Sequence, residues 1–257
     1  MIVTWKMKFP FYVHFGETSV LLHSIIEPLA FFIGFRFFIY LKNKKGDILN
    51  SDNRVWIIIA AIFGALLGSR LVGGLENPVQ LANAKNWLIH FYTNKTVLGG
   101  LLGGLFGVEL VKQILGIKQA SGDLFVYPLL IALIIGRVGC FSMGVREETF
   151  GLATTSFLGL DLGDGIKRHP VTLYEIAYLL LLWVVFLFIS GKNKLENGAL
   201  FKIFMIAYIL FRFFLEYIKP HYTYSIGLSA IQAACVIGIV WYAPYIFKPR
   251  ALLQKQN

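Results

Sequence analysis

The sequence predicts an all-α, polytopic membrane protein of about seven transmembrane helices, built as a single domain over residues 1–257. Three observations lead there. Hydrophobic residues make up 57% of the chain and charged residues 15%, with a mean hydropathy of +0.67, whereas a soluble domain carries about 45–50% apolar and about 25% charged residues. Seven mostly apolar stretches approach the roughly 20 residues that a helix needs to cross about 30 Å of hydrocarbon. No period-two alternation with regular turns is present, which argues against a membrane barrel. The 24 Lys and Arg against 14 Asp and Glu give a net charge of +10. These basic residues lie between the apolar runs rather than in one patch, so they read as contacts to anionic headgroups and as a topology signal. The composition excludes a soluble nucleic-acid binder, a disulfide scaffold and a disordered chain.

Residues 1–20 carry Trp5, Phe9, Phe11, Tyr12 and Phe15 between Lys and Pro, without the continuous apolar core of a cleavable signal peptide. That composition suits an arm lying in the membrane interface, with a short soluble tail as the alternative. The apolar stretches follow at 21–41, 55–75, 97–117, 124–143, 172–190, 199–217 and 226–247. With the N-terminus outside, Lys42, Lys44, Lys45, Arg54, Lys112, Lys118, Lys192, Lys194, Lys202, Lys248, Arg250 and Lys255 fall inside and outnumber the basic residues of the opposite side. The positive-inside rule therefore places the N-terminus outside and the C-terminus in the cytoplasm. Loops 76–96 and 144–171 become external. The second is rich in Gly and Thr, which fits a mobile cover or a static cap.

Four arginines, Arg36, Arg70, Arg137 and Arg212, lie inside the apolar stretches. Ionised groups are costly in a bilayer and mark functional sites by default. In the expected topology Arg70, Arg137 and Arg212 converge on the outer half, with Glu27, Glu216 and the segment from His169 to Glu175, whereas Arg36 and Glu109 lie near inner ends and can snorkel. One reading is an ion-pair network that ties helices together, with Arg212 and Glu216 sharing a face at i, i+4 spacing. The other is a pocket for a phospholipid headgroup, because planar guanidinium groups grip phosphate bidentately. Glycines at 99, 100, 103, 104 and 107 make small-residue stripes. Gly103, Gly104 and Gly107 read as helix packing, and Gly99 and Gly100 as backbone amides within reach of a ligand.

Four ordered motifs then carry a family resemblance. They are Gly136-Arg137-Val138-Gly139-Cys140-Phe141, Arg168-His169-Pro170 with Leu173-Tyr174-Glu175, Arg212-Phe213 with Glu216, and Gly227-Leu228-Ser229 with Gln232. In order and spacing the chain resembles the prolipoprotein diacylglyceryl transferases. The resemblance implies a seven-helix enzyme of the bacterial inner membrane with its active site towards the outer face. Its substrates would be phosphatidylglycerol and the signal peptide of a prolipoprotein, the diacylglyceryl group passing to a cysteine thiol and glycerol phosphate leaving. It also implies that Arg137 binds phosphatidylglycerol and that Arg212 and Glu216 form an outer-side pair. The chain departs from the family pattern at Leu98, where His is usual before the Gly-Gly pair, at Cys140, where Asn is usual, and at Lys219-Pro220-His221.

The chemistry needs a thiolate, a neutralised leaving phosphate and exclusion of water. Arg137 and Arg212 suit the phosphate. His169 is the candidate base, with Tyr174 and Glu175 orienting the site, or else a helix-start residue before Pro170. Glu175 and Glu216 can equally serve to hold the arginines. Arg70, Gly99, Gly100 and Gly151 complete the expected substrate contacts. His14, His23, His90 and His221 have no partner pattern and read as surface residues. Cys140 reads as a small buried residue or a thiol activated by Arg137. No disulfide between Cys140 and Cys235, no metal-ligand spacing, no nucleotide loop and no cofactor are expected. The alternatives are a related transferase with a different acceptor and a catalytically silent phospholipid-binding protein, the absence of internal repeats weighing against a transporter.

Overall fold

The computed structural model describes residues 8–192 and 195–253. In chain order these form strands β1 (Tyr12–Phe15) and β2 (Thr18–Leu21), helices α1 (Leu22–Lys45), α2 (Ser51–Gly74), α3 (Pro78–Ala82), α4 (Trp87–Thr93), α5 (Val97–Ile114) and α6 (Val126–Met143), strands β3 (Leu160–Asp161) and β4 (Lys167–Arg168), and helices α7 (Val171–Lys192), α8 (Ala199–Leu215) and α9 (Ala230–Phe247). The fold is helical, with two short antiparallel hairpins. Residues 1–7 of the expected arm, including Trp5, and Lys194 and Lys255 of the charge count, lie outside the described residues.

Among the described residues, six helices are long and apolar enough to cross a membrane, namely α1, α2, α5, α6 with its short 3-10 flanks, α7 and α9. The seventh apolar stretch forms α8, whose 17 residues rise about 26 Å at about 1.5 Å per residue, the low end of what a span requires. The outer surfaces of the helices carry exposed large apolar side chains, among them Phe31, Phe63, Leu67, Phe106, Phe188 and Ile237. Such residues give the outward faces of the helices an apolar surface, as lipid contact requires. This is a multi-pass membrane protein.

The chain divides into two compact units. Of the described residues, the first comprises 8–46, 124–192 and 217–220. Here α6 lies between α1 and α7. A Cβ on Gly34 of α1 would come within 2.9 Å of the Ala132 Cβ on α6, so the missing side chain sets how closely these helices approach. Phe38 stacks on Phe125 at 4.5 Å, and Leu130, Leu179 and Phe186 are fully buried. The N-terminal hairpin is tied to the end of α6 by a bond from the Phe11 amide to the Ser142 carbonyl, 2.8 Å.

Of the described residues, the second unit comprises 47–123, 195–216 and 221–253. Its closest packing joins α2 to α5, where Gly64 and Gly68 face Gly99, Gly103 and Gly107. A Cβ on Gly103 would lie 2.2 Å from the Gly64 carbonyl oxygen, and one on Gly68 would lie 2.4 Å from that of Gly99. Backbone therefore meets backbone, the device by which membrane helices associate when lipid removes the hydrophobic drive between them. Arg54, counted in the sequence as a loop charge, is instead buried in a bidentate pair with Asp47 and donates to the Ser121 carbonyl at 3.3 Å. Helix α8 begins after Gly198, which has no side chain to cap it. Its first amides are satisfied by Asp123, whose carboxylate accepts from Gly198 N at 2.7 Å and Phe201 N at 2.9 Å.

Gly103→Ala is expected to lower the thermal midpoint in detergent, by an amount corresponding to about 1–3 kcal/mol of overpacking. Gly100→Ala, whose Cβ would meet nothing closer than 3.7 Å, leaves it nearly unchanged in the same melt.

Candidate active site

In the first unit, the C-terminal turns of α6 carry Gly136-Arg137-Val138-Gly139-Cys140. Gly139 lets α1 come close, since a Cβ there would stand 3.2 Å from His23 Nδ1 and from the Ile26 side chain. Arg137 is buried, and its Nε lies 2.8 Å from Oε1 of Glu175, the fifth residue of α7, which is 2% exposed. Arg137 Nη1 donates to Cys140 Sγ at 3.7 Å, and Cys140 Sγ donates to Glu147 Oε1 at 3.6 Å. The other oxygen of Glu147 stands 3.6 Å from His23 Nδ1, and His23 Nε2 stands 3.3 Å from Glu27 Oε2. A run of polar groups thus passes from α7 through α6 to α1. His23, read from the sequence as a surface residue, is part of it. Its i, i+4 spacing to Glu27 is the one local signal of this, and Glu147 has none.

His169 is held beside Tyr174, with Nδ1 3.2 Å from the Tyr174 hydroxyl. Its amide donates to the Leu152 carbonyl, and its carbonyl accepts from the Gly151 amide, both at 3.0 Å. A Cβ on Gly151 would fall 2.4 Å from the His169 carbonyl oxygen. Gly151, expected to touch substrate, has a nearer task, which is to let two backbone segments lie against each other under His169. Loop 144–171 is laced by such bonds. Val145 N donates to the Leu162 carbonyl at 3.1 Å, and Leu152 N to that of Ile218 at 2.8 Å. The Asp161 carboxylate accepts from the amides of Gly163 and Gly165 at 2.9 Å. Arg168 lies over the Phe150 ring and pairs with Asp164 at 2.7 Å. The Arg168 guanidinium holds the Asp164 carboxyl below its ordinary value of 3.8.

The second unit holds the other polar group of the expected site. Arg212 and Glu216 are both buried, with Nη2 3.8 Å from Oε2 at i, i+4 spacing. Glu216 also accepts from the Ser229 hydroxyl at 3.3 Å. Ser229 is the N-cap of α9 and forms a full capping box with Gln232, after a turn in which Gly227 adopts φ +75°. The Gly-Leu-Ser-x-x-Gln motif is therefore a turn and cap whose hydroxyl reaches Glu216. Arg70 lies over the Tyr92 ring at 4.9 Å. His90, also read as a surface residue, is buried with Nε2 2.9 Å from the Gly74 carbonyl. Gly99 and Gly100, expected to offer amides to a ligand, do not have them to offer. Gly99 N donates to the Thr96 hydroxyl and Gly100 N to the Thr96 carbonyl, both at 3.1 Å. Leu98, in place of the usual His, is buried.

Compared with known proteins, residues 10–247 match the family model for prolipoprotein diacylglyceryl transferase. The chain belongs to this family. Among proteins named phosphatidylglycerol–prolipoprotein diacylglyceryl transferase, that of Nitratidesulfovibrio vulgaris strain DP4 is 30% identical over 175 residues, 65% of this chain and 63% of that protein. That of Clostridioides difficile strain 630 is 30% identical over 206 residues, 79% of each chain. That of Wolbachia pipientis subsp. Culex pipiens, strain wPip, is 28% identical over 227 residues, 82% of each. The chain thus spans somewhat under two thirds of the first relative's length and about four fifths of the other two. The match to the prolipoprotein diacylglyceryl transferases takes in both polar groups, that of Arg137 and that of Arg212.

The Asp164–Arg168 pair gives the loop a pH dependence. Because the folded carboxyl titrates below its ordinary value, its contribution is present in full above that value and is lost as pH falls through the folded one. Hydrogen exchange of residues 160–168, corrected for the intrinsic rate, is expected to stay level from pH 7 to about 5 and to rise below about pH 4. Asp164→Asn removes that step and exchanges faster throughout.

Proposed function

We propose that this member of the family transfers the diacylglyceryl group of phosphatidylglycerol to the lipobox cysteine of a prolipoprotein signal peptide. It does so in a bacterial cytoplasmic membrane, with the N-terminus and the active site at the outer face. The observation that carries the reading is the family match over residues 10–247, with a buried arginine–carboxylate pair at the Gly-Arg-x-Gly motif inside it.

The thiolate attacks the glyceryl carbon, a C–S bond forms, and the C–O bond to phosphate breaks with its electron pair leaving on glycerol phosphate. Stabilising that departing charge is the main demand on the protein. Arg137 meets it. Glu175 engages the guanidinium through Nε, which fixes the plane of a group whose fork geometry matches phosphate oxygens. Removal from water strengthens that attraction. Arg212, paired with Glu216, is the second phosphate-directed arginine that the motifs imply. His169, oriented by Tyr174, takes the thiol proton.

A second reading keeps the donor and changes the acceptor. It is favoured by Leu98 and Cys140, which stand where the family usually has His and Asn.

The test offers a one-cysteine lipobox peptide to purified protein in phosphatidylglycerol liposomes and reads the product by intact mass. A diacylglyceryl gain is expected, reduced by about 10²–10³-fold or more in Arg137→Ala and, separately, in Arg212→Ala, while both variants melt cooperatively. No gain by a folded protein that binds phosphatidylglycerol turns the reading to a different acceptor. Turnover at the parent rate in Arg137→Ala refutes the phosphate assignment.

A further inference from the structure

Three side chains with metal-ligand chemistry converge where the sequence has no metal-ligand spacing. They come from the first turn of α1, the last turn of α6 and the segment after it, so no local pattern announces them. His23, Cys140 and Glu147 each place one ligand atom within 4.8 Å of the other two. His23 Nδ1 stands 3.6 Å from Glu147 Oε2, and Cys140 Sγ stands 3.6 Å from Oε1, the other oxygen of the same carboxylate. A tetrahedral zinc ion with ligands at about 2.0–2.3 Å requires ligand–ligand edges of about 3.3–3.8 Å.

A second observation points to the same place. His23 Nδ1 and Glu147 Oε2 are buried atoms without a hydrogen-bond partner among the described residues. Buried polar atoms are nearly always satisfied. Two that face each other beyond hydrogen-bond distance, with a thiol beside them, leave room for a body that both can bind. The surroundings fit a cation. Glu27 lies on the far ring nitrogen of His23 at 3.3 Å, the outer carboxylate that orients metal-bound histidines and makes them more basic.

We propose that His23, Cys140 and Glu147 form a site for one thiophilic divalent cation of the zinc class, its fourth position taking the thiol of the acceptor. Mixed N, S and O donors select zinc over magnesium or calcium, which require oxygen ligands. Three protein ligands with one open position is the arrangement of a catalytic rather than a structural zinc site. The His23 and Glu147 side chains are 16% and 26% exposed, so an incoming group has access. The role of the fourth position rests on the transferase reading above. On binding, the acceptor thiol displaces a water and loses its proton to the base already assigned, so the sulfur is presented as a thiolate. The C–S bond then forms as the C–O bond to phosphate breaks, and the neutral thioether, a weaker ligand, leaves the cation. Cys140, where the family usually has Asn, becomes the donor that makes the site.

The test measures metal, not turnover. Full-length protein in detergent, exposed to zinc and desalted, is expected to hold about one zinc per chain by elemental analysis. Its cobalt form is expected to show a thiolate-to-metal charge-transfer band. Cys140→Ser abolishes the band, and His23→Gln and Glu147→Gln each weaken metal binding by about 10-fold or more. Cys140→His restores the metal without the band, which separates loss of a ligand from loss of the fold. Cys235→Ser, a buried cysteine of the other unit, changes nothing. A cysteine lipobox peptide strengthens the band and its serine analogue does not. Failure of the parent protein to retain metal overturns the site, as does undiminished retention in the His23→Gln, Cys140→Ser double variant. A band indifferent to the peptide thiol overturns the acceptor assignment. Because metal content is read without phosphatidylglycerol, it stands or falls independently of the liposome assay.

Discussion

A guanidinium buried within a membrane-spanning helix is costly without a carboxylate beside it, and this constraint organises the first unit. Neither Arg137 nor Glu175 is tolerable alone away from water, because an unpaired buried charge costs several kcal/mol (about 3–5) when its partner is removed. Their 2.8 Å contact therefore fixes where α7 starts relative to the end of α6. Pro170 and the His169–Gly151 backbone pairing deliver the chain to that point. Under the proposed function the same pair ties the chemistry to the architecture, since the group assigned to phosphate also holds two helices in register.

The second unit solves a related problem by different means. There the main contact contains almost no side chain. Glycines on α2 and α5 bring backbones so close that even a methyl group would collide with a carbonyl. Dense van der Waals contact of this kind does not depend on water, so it works in a lipid setting where hydrophobic burial contributes little. The polar group of this unit is added at the helix ends. Glu216 receives both Arg212 and the hydroxyl that caps α9, so a turn motif and an ion pair share one carboxylate.

Much of this is legible in the sequence, for identifiable physical reasons. Membrane spans are readable because a run of about 20 apolar residues matches the thickness of a bilayer's hydrocarbon core and is longer than the buried helix of a soluble domain needs. Arg137, Arg212 and Glu216 stand out because charge inside such a run is rare. Gly103 and Gly107 are readable as packing from their four-residue spacing. Other features depend on contacts distant in sequence. His23 and Glu147 lie on different segments and meet only because Gly139 admits α1. Gly99 and Gly100 look free to serve a ligand, yet Thr96 engages both amides. Arg54 counts as a topology charge until Asp47 folds over it. Hydropathy carries the α8 stretch to residue 217, whereas the backbone tightens into a 3-10 turn from Glu216 to Ile218, which hydropathy does not encode.

The start of α8 has one more consequence. Its first amides are held by Asp123, a residue synthesised well before the helix it caps. During translation the N-terminal portion emerges first, so the acceptor is waiting when the helix arrives, and α8 does not have to form unaided. Dividing the gene between α6 and α8 would leave the helix on one polypeptide and its cap on the other. Reassembly of two such halves would then have to bring that carboxylate back to its amides across the cut.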